Sequence, residues 1–424
     1  MTASQTPAPA DPTAAAALPA DLQDERLIAS QGFGGWASAT WGRIRSGDLG
    51  SLPVVVGLVI IWAVFYALNP AFISSRNLVN LTLQMVPIGV LAIGVVLVLL
   101  LGEIDLSIGS MYGLSGAVLV VLFVNQGMSV WVAVIAALAA GAVVGLVYGL
   151  LFNRFGVPSF VITLAGLLVL LGLQIRTLGK DGTVNLPFES SLVQFASQKF
   201  LPHWLAYTLA VVVPLVYLLA RLRTNQRRTS AGLSAAPVVA LAVRAALLAV
   251  ALVVITYLLQ RDRGLSYMVV LFVVLVVVMD LAVRRTTWGR SVLAIGGNVE
   301  AARRAGIKVK RVYLSVFVLC STFAALGGIL GAARLASANQ SSGGADTNLN
   351  AIAAAVIGGT SLFGGRGSAY SALLGILVIY SISNGLALLS VSADVRYVVT
   401  GAVLLLAVVI DSLSRRSRAA HGRA

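Results

Sequence analysis

The sequence predicts an all-α fold, a polytopic helical bundle embedded in a membrane. Three observations carry that reading. Of 424 residues, 58% are hydrophobic and 11% charged, where an ordinary soluble domain carries about 25% charged residues. Mean hydropathy is +0.94. The apolar residues gather into runs close to the roughly 20 residues a membrane helix needs. Such a composition excludes a disordered chain, a nucleic-acid-binding domain and a typical soluble enzyme. The net charge of +15 is then read through the positive-inside rule, as basic loops on the cytoplasmic side, and not as a nucleic-acid surface.

The apolar runs lie at 52–68, 84–101, 109–124, 130–150, 158–175, 204–220, 237–259, 267–283, 311–333, a short 351–364, 368–389 and 396–411, twelve in all. Each is apolar on every side, as spans are and surface helices are not. Strict alternation is absent, so no β-barrel is expected. Residues 1–50 read as a disordered cytoplasmic tail: residues 1–20 are rich in Ala, Pro and Thr, and no apolar h-region marks a cleaved signal peptide. Residues 51–412 form the membrane domain and 413–424 a basic cytoplasmic tail.

Orientation follows from Lys and Arg. With the N-terminus inside, 21 basic residues fall inside, including eight between Arg284 and Arg311, and eight fall outside: Arg76, Arg176, Lys180, Lys199, Arg261, Arg263, Arg334 and Arg396. Arg244 lies within a span. Reversing the chain would invert this bias, so both termini are expected in the cytoplasm. Two connections exceed the ordinary four to six residues or so: the polar external segment 176–203 and the basic internal segment 284–311.

The small counts remove most chemistry. The lone cysteine, Cys320, sits in an apolar run, which excludes an intrachain disulfide and a thiolate cluster. His203 and His421 are far apart, and no group of His, Cys, Asp and Glu has metal-ligand spacing, so neither metal nor cofactor is expected. No phosphate loop occurs: Arg366 precedes Gly367, and Lys180 is followed by Asp181, where that motif needs Lys followed by Ser or Thr.

Three motifs remain. Gly102-Glu-Ile-Asp-Leu-Ser-Ile-Gly109 places Glu103, Asp105 and Ser107 between two spans. Carboxylates at membrane depth are costly and usually functional; equally, Asp105 or Ser107 suits the N-cap of the following span. In Gly289-Arg…Ile-Gly-Gly-Asn-Val-Glu-Ala-Ala-Arg-Arg-Ala-Gly306, Asn298 reads as an N-cap, Glu300 as a first-turn acid and Gly306 as a stop, with Ala301, Ala302 and Ala305 on one small face. Patterning alone allows two roles for this helix, docking a partner protein or touching anionic lipid. In Ala351–Ser368, glycines at 358, 359, 364, 365 and 367 read as a broken membrane segment beside a substrate path, or as close helix packing. Gly109-Ser-x-Tyr112 and Gly367-Ser-x-Tyr370 give a weak echo, a remnant repeat or chance. Among polar residues inside spans, Ser159, Thr163 and Asn384 are candidates for the path, while Asp280 and Asp411 sit one turn from arginines and are expected to pair with them.

The chain resembles the membrane permeases of bacterial ABC sugar importers, in the ribose/xylose/arabinose branch and nearest its xylose members. The resemblance rests on Glu103-Ile-Asp-Leu-Ser-Ile-Gly-Ser110, Val157-Pro-Ser-Phe-Val-Ile-Thr-Leu-Ala-Gly166, the Gly289–Arg303 motif and Ala351-Ile-Ala-Ala…Gly-Gly-Thr-Ser-Leu, in order along about 370 residues. It implies a plasma-membrane subunit, paired with a second copy, that carries xylose or a similar monosaccharide. It implies an extracytoplasmic sugar-binding protein outside and a separate ABC ATPase inside. The ATPase contact transfers onto Gly289, Arg290, Gly296, Gly297, Asn298, Glu300, Ala301, Ala302 and Gly306. The path candidates are Glu103, Asp105, Ser107, Ser159, Thr163 and Asn384. No bond chemistry is implied, in keeping with the missing catalytic constellation. The rival reading, an ion-gradient-driven secondary transporter, would need an ionisable residue in mid-membrane, and mid-span acids are nearly absent.

Overall fold

The computed structural model describes residues 52–230, 235 and 237–420. The N-terminal tail lies outside the described residues, as do Ser51 and residues 421–424. Two compact units are present: the smaller includes Thr208–Val253, the larger Leu49–Tyr207 and Val254–Ala424.

The helices are α1 (Leu52–Leu68), α2 (Ser75–Leu100), α3 (Ile108–Val120), α4 (Val130–Phe155), α5 (Ser159–Leu178), α6 (His203–Ser230), α7 (Val238–Gln260), α8 (Tyr267–Arg285), α9 (Thr287–Gly297), α10 (Val299–Arg304), α11 (Val309–Leu335), α12 (Ala345–Ile357), α13 (Tyr370–Leu388) and α14 (Ala393–Ala420). A π-turn at Val121–Asn125 extends α3. Nine described helices are long and apolar enough to cross a membrane. α1 is a shorter apolar helix, α12 is a short helix that is polar in its first half and apolar from Ala351, and α14 carries the twelfth apolar run.

Most predicted runs coincide with helices to within a few residues. α6 and α14 run on to Ser230 and Ala420 where the apolar runs end at 220 and 411, and α2 begins at Ser75 where its run begins at 84. Its first turns carry Arg76, Asn77, Asn80 and Gln84, which hid them from a hydropathy reading. Ser74 caps it, accepting from the Asn77 amide. The short segment predicted over 351–364 is helical only to Ile357; Gly358 to Gly367 is not helical.

α2 is the axis of the larger unit, buried almost along its whole length. α11 crosses it through one glycine from each helix: a Cβ on Gly94 would lie 2.8 Å from the Cys320 carbonyl, and one on Gly327 2.7 Å from the Pro87 carbonyl. α4 packs on the opposite face of α11 through Gly141, Gly145 and Gly149. A Cβ at these positions would come within 2.7 Å of the Ser321 carbonyl, 2.6 Å of the Val318 Cα and 2.9 Å of the Leu314 Cα. This G-x-x-x-G-x-x-x-G run lets backbones approach where lipid supplies no hydrophobic drive between helices. It was visible in the sequence, and hydropathy alone passed over it.

The loops fall into two groups. On one side Asn153 Nδ2 donates to the Lys310 carbonyl at 2.8 Å, Trp288 Nε1 to Ser315 Oγ at 2.8 Å, and the Gly365 amide to the Leu100 carbonyl at 2.9 Å. On the other, β1 (Thr183–Asn185) pairs antiparallel with β2 (Ser337–Asn339), Arg263 reaches Asn80 Oδ1 at 2.5 Å, and Asn77 meets Asn384. These are the same two groups that the arginine distribution separates.

Candidate functional site

Three assemblies stand out in the larger unit. The first is the break between α2 and α3. Residues 101–107 leave the helical ladder, so their backbone groups need other partners. α5 supplies two. Ser159 Oγ donates to Glu103 Oε2 at 2.5 Å and accepts from the Ile104 amide at 3.4 Å; Thr163 Oγ1 accepts from the Leu106 amide at 3.1 Å. α12 supplies the third, Asn348 Nδ2 donating to the Leu106 carbonyl at 2.5 Å. Asp105, buried, accepts from the amide and the hydroxyl of Ser107 at 2.8 and 2.7 Å, and Cys320 Sγ lies 3.9 Å away. Ser107 therefore occupies the N-cap position of α3, but its hydroxyl turns back to Asp105 and makes no capping bond. No Lys, Arg or His pairs with Glu103 or Asp105 among the described residues.

Five of the six path candidates thus meet at one break: Glu103, Asp105, Ser107, Ser159 and Thr163. The sixth does not. Asn384 forms a reciprocal amide pair with Asn77, at 2.7 and 3.0 Å, near the start of α2. It lies toward the end of α13 and faces a neighbouring helix, because Asn77 belongs to the polar turns that the hydropathy reading left out of α2. Asn348 joins the break and went unnoticed, because it lies in the polar turns at Ala345–Asn350, before the apolar run that begins at 351.

The second assembly is the helix pair α9–α10. Asn298 caps α10, its side chain accepting from the Ala301 amide at 2.9 Å. Glu300 stands in the first turn, bridged to Arg303 at 2.6 Å, and Gly306 follows with φ +80°. The predicted small face is divided: Ala302 is buried, while Ala301 and Ala305 are exposed. Rotation of 100° per residue puts adjacent Ala301 and Ala302 on different sides of so short a helix. Three of the nine transferred residues face inward. Ala302 anchors α10; Gly289 is buried against the Val283 and Ala282 carbonyls; Gly296 lies on the Leu100 carbonyl and 2.5 Å, by its would-be Cβ, from the Gly365 amide. Arg290, Gly297, Asn298, Glu300, Ala301 and Gly306 are exposed. Gly364 in turn would meet the Gly102 amide at 2.9 Å and the Gly296 carbonyl at 2.7 Å. So α9, the end of α2, the break and the glycine loop after α12 meet through backbone.

The third is the clasp on the far side. Gln174, wholly buried, donates from Nε2 to the carbonyls of Asn339 and Ser342 at 3.0 and 2.9 Å, tying α5 to the connection that follows β2. The paired strands fasten the long loop 176–203 to the same connection. Neither feature shows in the sequence, since each rests on contacts across more than 150 residues.

Residues 77–408 match the family described as branched-chain amino acid transport system / permease component. The chain belongs to that family. It is 35% identical over 374 residues to the xylose transport system permease protein of Escherichia coli K12, covering 88% of this chain and 94% of that one. It is 32% identical over 359 residues to the ribose import permease protein of the same strain, covering 84% and 92%. With the Bacillus subtilis 168 ribose import permease protein the figures are 33% over 365 residues, 86% and 94%. No solved structure matches. This permease therefore sits in the ribose/xylose branch of ABC permeases, a multi-pass helical membrane protein and a transport component. Among the described residues no group of three or more His, Cys, Asp and Glu is placed to hold a metal.

Proposed function

We propose that the permease is the membrane-spanning subunit of an ATP-driven importer for xylose or a similar monosaccharide. Two copies form the path, a sugar-binding protein delivers at the clasp side, and a separate ATPase docks on α9–α10. Residues 1–50 and 413–424 are its cytoplasmic tails and 51–412 its membrane domain. The relatives support the substrate class, being permeases for xylose and ribose.

One observation carries the coupling: the exposed residues of α10 stand on a helix pair whose inner residue, Gly296, lies on the Leu100 carbonyl. A force applied at α10 reaches the end of α2 and the break without passing through flexible side chains. From there Ser159, Thr163 and Asn348 relate the break to α5 and α12. ATP-driven movement of the partner would shift α9 and, through these bonds, the two helices that flank the path.

The test is uptake of labelled xylose by cells holding the permease with its ATPase and binding protein, for wild type, Gly297→Asp and Glu300→Arg. Both substitutions alter only exposed atoms, so membrane insertion should persist while uptake falls. Normal uptake together with normal co-purification of the ATPase in either variant would refute the docking assignment.

A further inference from the structure

Between α12 and α13 the chain makes a sharp turn beside the α9–α10 pair. The Ser361 amide donates to the Arg366 carbonyl at 3.0 Å, and the Phe363 amide to Ser361 Oγ at 3.2 Å. Gly364 and Gly365 take φ of +85° and +73°, a conformation that glycine adopts without steric cost. Backbone contacts seat the turn. The Gly365 amide donates to the Leu100 carbonyl at 2.9 Å. A Cβ on Gly364 would lie 2.7 Å from the Gly296 carbonyl and 2.9 Å from the Gly102 amide, and one on Gly365 3.0 Å from the Gly297 amide. Leu362 packs against the core, whereas Phe363, at the tip, is 59% exposed.

A single exposed phenylalanine needs no explanation by itself. This one is held by fixed backbone against the end of α9, where the exposed residues Gly297, Asn298, Glu300 and Ala301 begin. Charged side chains are exposed on both segments, Arg366 on the turn and Arg290, Glu300 and Arg303 on α9 and α10. Charges are costly in hydrocarbon, so this rim belongs to a hydrated layer. We propose that the turn Ser361–Arg366 is the second half of the ATPase docking surface, with Phe363 as its aromatic anchor. The occupant is the ABC ATPase that the importer reading seats on α10, and the inference rests on that reading. Continuity argues for it: the turn touches α9 at Gly296 and Gly297, so a chain seated on Gly297–Ala301 borders Phe363. An aromatic side chain inside a charged rim is the usual composition of an interface anchor. A turn already fixed by its own hydrogen bonds loses little freedom on binding. The complementary surface is an apolar pocket with acidic groups toward Arg366 and Arg303. The turn also meets the break directly, Gly364 lying on Gly102, so a push on Phe363 reaches the break without passing through α10.

The test uses the full chain with one added cysteine, Phe363→Cys or Glu300→Cys, in inside-out membrane vesicles; the native Cys320 is buried. A membrane-impermeant maleimide is applied with and without the purified ATPase subunit of the same transporter. Both cysteines should label without the ATPase, and about tenfold more slowly with it, since an interface centre excludes water and reagent. Phe363→Ala should weaken ATPase binding to the vesicles about tenfold, as loss of an anchor does, at wild-type permease yield, and Phe363→Leu should keep most of the binding. Protection of Cys at 300 but not at 363 would overturn the second contact and keep docking on α10. Protection at 363 alone would keep the turn as a contact and overturn the α10 assignment. Protection at neither, or no labelling at either without the ATPase, would overturn both. A cysteine at 363 that stays unlabelled without the ATPase while the one at 300 reacts would overturn the exposed anchor, as would wild-type ATPase binding by Phe363→Ala.

Discussion

Gly296→Ala tests whether α9 is joined to the end of α2 by backbone contact. The added methyl would sit 2.5 Å from the Gly365 amide and nearer still to the Leu100 carbonyl. Ordinary contact begins at 3.4 Å, so the amide must retreat by 0.9 Å (3.4 − 2.5) and the carbonyl by more. These two atoms are bonded to each other at 2.9 Å, and the methyl wedges between them. Overpacking of this kind costs about 1–3 kcal/mol, and the lost hydrogen bond about 1 kcal/mol more. Alanine returns about 1 kcal/mol of helix propensity over glycine. The net is about 1–3 kcal/mol against the seated position of α9, or roughly 5- to 150-fold in its equilibrium. Gly297→Ala is the matched control: nothing lies within 4 Å of its Cβ, so its effect should stay within about 0.5 kcal/mol. Thermal unfolding of the detergent-solubilised chain and sugar uptake are the readouts. Gly296→Ala should fall below Gly297→Ala in both. Equal melting and equal uptake for the two would refute the backbone connection.

Three further outcomes are expected. The Asn77→Ala and Asn384→Ala double-mutant cycle should give a coupling of about 0.6–1.7 kcal/mol, the range for polar pairs between membrane helices, and a coupling of zero would remove the amide pair. With Leu186–Ala336 and Gly182–Gln340 hydrogen-bonded, alternation makes Asn185 and Ser337 a non-bonded antiparallel pair, about 4.5 Å apart at Cα. Asn185→Cys with Ser337→Cys should then oxidise to a disulfide. Because the native Cys320 is buried, failure to cross-link would count against the β1–β2 register. Reporter fusions after Gly182 and after Gly296 should report outside and inside; the reverse pair would overturn the orientation drawn from the arginines.

What the sequence disclosed follows the range of the forces involved. Helix positions were legible because lipid requires long apolar runs, and α10 because its cap, first-turn acid and terminal glycine are local: Asn298, Glu300 and Gly306 stand where local rules put them. Asp280 pairs with Arg284 at 2.9 Å as i,i+4 spacing allows; the side chain of Asp411 lies outside the described residues. The sequence also singled out Ser159, Thr163 and the Glu103 that Ser159 meets, but not the backbone partners of the two hydroxyls. Those partners are backbone groups of Ile104 and Leu106, which become donors in need only once the helix breaks. The partner of Asn384 was hidden for a related reason: hydropathy stops at the first polar turn, whereas α2 continues through Asn77 because Ser74 caps it and Asn384 meets it.

The glycines show the same limit from the other side. A sequence records that Gly94, Gly145, Gly296 and Gly364 lack side chains, and not which backbone each admits. Gly94 and Gly145 admit α11, and so build the bundle. Gly296 and Gly364 admit the end of α2 and the start of the break, and so join the exposed helix pair to the interior. The first kind should tolerate no enlargement without loss of folded protein. The second kind should yield folded protein that transports poorly, because the strain falls on a junction and not on the axis. Gly145→Leu and Gly296→Ala, compared for membrane yield and for uptake per folded molecule, separate packing from coupling: loss of yield in the first and loss of uptake at normal yield in the second is the expected pattern. The opposite pattern would place the coupling junction in the bundle core.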